Sequence, residues 1–125
     1  MVTIYTLCQG SEKMIKTIRK ILYRSIDNKE ISYENLNDFI KNKKVFLIDV
    51  RSNQEYEEGH LNGAINISLY NIEKEIENIV KDKDELIILY CSSGSRSKEA
   101  KKILEELGYH EVYNLKGGID RVWIQ

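Results

Sequence analysis

Residues 86–97, Leu86-Ile87-Ile88-Leu89-Tyr90-Cys91-Ser92-Ser93-Gly94-Ser95-Arg96-Ser97, pass from one kind of structure to another within a single short stretch. The first part is a continuous apolar run rich in branched residues, the pattern of a strand covered on both faces. A helical pattern follows over 96–107 and is stopped by Gly108. Upstream, Val45-Phe46-Leu47-Ile48-Asp49-Val50 repeats the buried-strand signal, and Ala64-Ile65-Asn66-Ile67 is a second short strand. Downstream, Glu111-Val112-Tyr113-Asn114-Leu115 is the last strand, followed by Lys116-Gly117-Gly118 and a final helical turn carrying Trp123, which is expected in the core. Between the strands, Ser32 is placed to cap a helix over 33–41 with Leu36, Phe39 and Ile40 inward. Residues 53–58 form a polar helical turn ending at Gly59, and a helix through Val80 sets Ile72, Ile76, Ile79 and Val80 on one face. Strands alternating with helices imply parallel strands joined by crossovers, hence an α/β domain with helices on both faces of a central, mainly parallel sheet.

The whole chain has 125 residues, about one domain, and such a domain buries roughly two-thirds of its unfolded surface without needing a metal or disulfide staple. Lys plus Arg number 19 against 20 Asp plus Glu, for a net charge of −1, which argues against a general nucleic-acid binder. No apolar run is long enough for a spanning helix. The 2 cysteines, Cys8 and Cys91, and the 2 histidines, His60 and His110, show no metal-ligand spacing, so neither metal nor cofactor is expected. Nothing near the N-terminus resembles a secretion signal, and a reducing cytoplasm is the default location.

Residues 11–30 stand apart. They hold six basic and three acidic groups, net +3, so the remainder carries −4. Met14, Ile15, Ile18, Ile21 and Leu22 recur at helical spacing behind Ser11, predicting an amphipathic helix over 12–25. The chain thus divides into a helical extension, 1–30, and an α/β domain, 31–125. The helix is expected to pack on the domain, on a second copy, or on a partner protein. Cys8 has no helix or basic neighbour immediately around it and is not expected to relay sulfur.

Cys91 lies at the carboxyl end of the most buried strand, where open parallel sheets bind ligands. Every residue between it and Arg96 is small, so the backbone can curl tightly with its amides pointing inward, and Gly94 admits a positive φ. Such a cradle, backed by a helix N-terminus, is an anion site. Helix N-termini and nearby arginine lower a cysteine pKa, so Cys91 is expected as a thiolate nucleophile within solvent reach. Phosphatase and arsenate-reductase signatures need a longer run between cysteine and arginine, and the smaller ring suits a sulfur atom carried on the cysteine. Tyr90 also stands where tyrosine-phosphatase loops usually place a histidine.

Three separated blocks resemble the rhodanese (thiosulfate sulfurtransferase) family in its single-domain form. They are Leu47-Ile48-Asp49-Val50-Arg51 with Glu55-Tyr56 and the run Gly59-His60-Leu61-Asn62-Gly63-Ala64-Ile65-Asn66-Ile67; the loop from Cys91 to Ser97; and Leu115-Lys116-Gly117-Gly118-Ile119 with Trp123. The resemblance covers residues 31–124 and implies a rhodanese-like three-layer domain. It implies a two-step transfer in which Cys91 takes the outer sulfur of thiosulfate or a similar small anion as a persulfide and passes it to cyanide or a thiol. Ser92, Ser93, Gly94, Ser95 and Ser97 would line the anion site, and Arg96 would bind thiosulfate and close the loop. Arg51 is either a second anion ligand or a structural ion-pair partner. Asp49 and Glu55 read as scaffold carboxylates that hold arginines or loop amides. His60 reads as structural, since an ionised thiol needs no base. Gly117 and Gly118 allow close backbone approach under the loop. Asn62 stands where relatives usually carry proline, which affects turn stiffness more than chemistry. An alternative is a relay or interaction module that receives persulfide sulfur from a partner protein and has little thiosulfate activity of its own.

Overall fold

In the computed structural model, which describes residues 29–123, the apolar run 86–90 is the central strand of a five-stranded sheet. In chain order the elements are β1 (Glu30–Ile31), α1 (Tyr33–Ile40), β2 (Val45–Asp49), α2 (Asn53–Glu58), β3 (Ile65–Asn66), α3 (Ile72–Ile79), β4 (Leu86–Tyr90), α4 (Ser95–Glu106), β5 (Glu111–Leu115) and α5 (Gly118–Trp123). The strands lie in the order β1-β5-β4-β2-β3, and every pairing is parallel.

Side chains alternate across β4. Ile87 and Leu89 enter one core, with Ile72 and Ile76 of α3 and Ala100 and Leu104 of α4. Ile88 and Tyr90 enter the other, with Leu36 of α1, Tyr113 of β5 and Ile119 of α5. That two-sided burial makes a three-layer domain. It is also why residues 86–90 show no polar alternation: Ile87, Ile88, Leu89 and Tyr90 are all fully buried.

Chain order reverses beside β4, because the path runs outward from β2 to β3 and then returns to the far side of β2. Asp49 pairs with Tyr90, so β2 and β4 end level. The loops leaving their carboxyl ends therefore share one crevice, the place where open α/β sheets accept ligands.

Two expectations need correction. Trp123 is 58% exposed rather than in the core. It lies one helical turn beyond buried Ile119, past the edge of the core, with its ring 5.7 Å from the Arg51 guanidinium carbon. Strand β1 escaped prediction, because two residues carry no periodicity; its place is decided by pairing with Asn114 and Leu115. The helix expected over 12–25 and Cys8 lie outside the described residues. Among the described residues no helix is long and apolar enough to cross a membrane.

Candidate active site

Strand β4 delivers Cys91 to the crevice, and the chain curls at once into α4. The turn depends on Gly94, the residue before α4, whose φ of 118° is a conformation that glycine alone adopts without strain. The curl brings donors onto the sulfur: Cys91 Sγ accepts from the Gly94 N–H at 3.1 Å and the Ser97 N–H at 3.4 Å, and the Ser97 hydroxyl lies 3.5 Å away. Burial pushes the Cys91 thiol up, but the Ser97 side chain and the main-chain amides of Ser97, Gly94 and Arg96 outweigh it and leave the pKa below its ordinary value. Ser93 and Ser95 are exposed.

Beneath the loop, Gly118 meets the backbone directly. A Cβ there would lie 2.5 Å from the Cys91 carbonyl oxygen and closer still to that of Ser92. This intimacy lets the Ile119 N–H reach Cys91 O at 2.9 Å and the Asp120 N–H reach Ser92 O at 3.0 Å. The positive φ of Gly117 (80°) supports the same tight turn.

Above the loop, Glu55 closes a clamp. Ser52 and Glu55 form a reciprocal capping box that starts α2 and points the Glu55 carboxylate at the crevice. Arg96 grips it through two bonds, Nη1 to Oε1 at 2.7 Å and Nη2 to Oε2 at 3.0 Å. The Ser92 hydroxyl donates to Glu55 Oε2 at 3.1 Å and accepts from Arg96 Nη2 at 3.0 Å. Glu55 therefore holds Arg96, whose guanidinium is committed to that carboxylate.

Arg96 holds the Glu55 carboxyl down to about 2. A carboxyl depressed in the folded state adds stability that is present above its ordinary value of 4.5 and is lost as pH falls through about 2. Glu55→Gln is accordingly expected to flatten that part of the stability–pH curve measured by urea melts. The difference from wild type should be on the order of 1 kcal/mol at neutral pH, because the Glu55 and Arg96 side chains are 32% and 37% exposed and solvent screens them.

Arg51 is held in a buried ion pair. It is 2% exposed and donates to both carboxylate oxygens of fully buried Asp49 at 2.8–3.1 Å, and to Gly59 O at 2.6 Å. Its guanidinium is spent on joining the end of β2 to the end of α2. Arg51→Met would strand the Asp49 carboxylate without its cation, and a loss of about 3–5 kcal/mol in chemical denaturation is expected. His60 is exposed, donates from Nδ1 to Tyr56 O at 2.8 Å and stacks on the Tyr56 ring with centroids 3.7 Å apart.

The thiol differs from expectation in one respect: Cys91 is only 1% exposed. It belongs to the same buried cluster as Val50, Ile67 and Ala100. A cavity of about 720 Å³ opens beside the clamp, with Ser52, Leu69, Tyr70 and Arg96 in its wall. Sequence reading also missed Asn114, 1% exposed, whose Oδ1 accepts a very short hydrogen bond from the Ser97 hydroxyl. Its signal was present as a lone amide inside the apolar run of β5. Among the described residues, no group of three His, Cys, Asp or Glu side chains is placed to hold a metal ion.

Comparison with known proteins bears on the family and the fold. The family model of the rhodanese-like domain matches residues 32–124. Thiosulfate sulfurtransferase PspE of Escherichia coli (strain K12) is 43% identical over 70 residues, covering 56% of this chain and 67% of that protein. Thiosulfate sulfurtransferase GlpE of Coxiella burnetii is 32% identical over 92 residues, 74% of this chain and 84% of that protein. Among solved structures, a rhodanese with anions from E. coli superposes with a TM-score of 0.58 at 38% identity, over 62% of this chain and 91% of that one.

Proposed function

This chain belongs to the rhodanese-like domain family, and on that premise we propose that it is a sulfurtransferase working through a persulfide on Cys91. The Cys91 thiolate attacks the outer sulfur of thiosulfate. A new S–S bond forms, the bond to the inner sulfur breaks, and its electron pair leaves with sulfite. Cyanide or a thiolate acceptor then attacks the outer sulfur of the persulfide, giving thiocyanate or a new persulfide and returning the Cys91 thiolate. No general base is required, since the thiol is ionised before attack and no proton moves in either transfer.

One observation carries the reading: the Gly94 and Ser97 N–H groups, at 3.1 and 3.4 Å, converge on Sγ at the carboxyl end of β4. They stabilise negative charge on sulfur, the property needed by the attacking thiolate and by the thiolate released in the second step. Arg96 supplies the positive charge at the mouth and ties the loop to α2. Ser92, Ser93 and Ser95 form the outer lip past which an anion enters. A reducing compartment, the cytoplasm, suits a thiol that must stay unoxidised between turnovers.

The test is peptide mapping by mass spectrometry after incubation with thiosulfate. A single added sulfur is expected on the Cys91 peptide, released by cyanide as thiocyanate. Sulfur on the Cys8 peptide instead would overturn the assignment.

The burial of Cys91 favours a second reading, in which a partner protein delivers persulfide sulfur and opens the clamp by docking. That reading expects slow turnover of free thiosulfate but rapid loading from a protein persulfide. Light scattering of the full chain would show whether the partner is a second copy.

A further inference from the structure

The Ser97 hydroxyl has one proton and three acceptors around it. Asn114 Oδ1 is the nearest, Gly94 O lies at 3.0 Å, and Cys91 Sγ at 3.5 Å. We infer that Asn114 is a positioning residue for the sulfur chemistry: its buried amide, anchored on Glu30, decides whether the Ser97 proton faces the Cys91 sulfur or turns away from it.

The hydrogen-bond inventory of each group forces this conclusion. With Oδ1 toward Ser97, the hydroxyl proton is drawn to Asn114 and a lone pair of Oγ faces Sγ. That arrangement accepts a proton from a neutral thiol, as Sγ–H to Oγ–H to Oδ1, but it opposes a thiolate. A thiolate needs the hydroxyl proton turned toward it. The turn can be made without loss if the amide reverses, so that Nδ2–H donates to Oγ in place of the bond Oγ gave up. The Ser97 side chain therefore serves an ionised Cys91 only in the second arrangement.

Glu30 of β1 biases the choice. Asn114 Nδ2 donates to Glu30 Oε1 at 3.5 Å, which holds Oδ1 toward Ser97. Reversal would set Oδ1 against that carboxylate. Lys98 Nζ lies 3.5 Å from the same Glu30 oxygen. On this side the structure leaves room for adjustment, because Glu30, Lys98 and Asn114 line a cavity of about 490 Å³ together with Lys29, Lys101 and Glu105. The other groups around the sulfur are already committed. From α4 and α2 come Arg96 and Glu55, locked to each other. From α5, Asp120 presents its main-chain N–H to Ser92 O; Tyr90 enters the opposite core, where its hydroxyl accepts from the Leu61 N–H. The Asn114 amide is the group on this path with two distinct hydrogen-bonding states.

The inference deepens the sulfurtransferase reading, but its test does not depend on sulfur transfer. The pH dependence of iodoacetamide alkylation, followed on the Cys91 peptide of the full chain, reports thiol ionisation whatever the reaction. Glu30→Gln keeps the side-chain size and weakens the anchor. It is expected to move the alkylation midpoint down by about half a pH unit, roughly a threefold rate gain below the midpoint. Ser97→Ala removes the hydroxyl and should move it up. In the double variant the Glu30 effect should vanish, leaving the Ser97→Ala profile unchanged. A direct through-space influence of the Glu30 charge would survive in the Ser97→Ala background. That survival, or a midpoint unmoved by Glu30→Gln, overturns the proposal. Asn114→Ala, which frees the Ser97 proton, is expected to shift the midpoint downward, and an upward shift in a folded protein also overturns it. Should that variant not fold, the Glu30–Ser97 cycle decides alone.

Discussion

Replacing Cys91 with serine is expected to reduce thiosulfate-to-cyanide sulfur transfer to background, a loss of at least ~10³-fold, the scale on which removal of a covalent nucleophile acts. The substitution exchanges one small polarisable atom for a smaller one. The Gly94 and Ser97 amides that meet Sγ at 3.1 and 3.4 Å can still donate to a hydroxyl oxygen, so the loop keeps its shape. Chemistry is what disappears: an alcohol stays protonated at neutral pH, and oxygen is a poor carrier of a sulfane sulfur. Thiocyanate production at saturating thiosulfate measures the loss, and an unchanged circular-dichroism melt separates it from unfolding. Retained turnover would move the sulfur to another thiol, and Cys8 would be examined next.

Gly118→Ala is expected to cost on the order of 3 kcal/mol and most of the sulfur-transfer activity, through crowding and strain together. At a φ of +62° a residue with a side chain pays about 1–2 kcal/mol for the left-handed conformation. Crowding adds about 1–3 kcal/mol, because the new methyl would sit 2.5 Å from Cys91 O and no flexible side chain is available to yield. Relief requires α5 to lift away from the loop. That would stretch the bonds from the Ile119 and Asp120 amides, now 2.9 and 3.0 Å long, which hold the Cys91 and Ser92 carbonyls. Gly108→Ala is the control, since it also has positive φ but nothing lies within 4 Å of the added carbon. Urea melts of the two variants should differ by the crowding contribution alone. Equal costs would show that α5 shifts freely and that the close approach does not shape the site.

Much of the architecture was legible because it is written in local patterns. The run at 86–90 declares a strand buried on both faces, and the helical spacing of Ile72, Ile76 and Val80 declares which face of α3 turns inward. Ser92 to Ser95 are small enough to predict a tight curl, and the curl is there with Gly94 in its positive-φ position. Other features were not legible. Trp123 has a core residue's composition, but its exposure depends on where α5 runs out relative to the edge of the sheet. The contacts of Arg51 with Asp49 and Gly59 come only with the fold. The depth of Cys91 depends on a core cluster contributed by several elements.

The amino-acid sequence alone therefore settled the alternation of strands and helices and the position of the loop that carries Cys91, the proposed nucleophile, because each rests on residues within a few positions of one another. Tertiary structure decided what surrounds that nucleophile. Arg96 meets Glu55 across 41 positions, Ser97 meets Asn114 across 17, and Asn114 meets Glu30 across 84. Such contacts arise only when parallel strands fall into order and register, and no local periodicity encodes the distance between side chains that the sheet has yet to bring together.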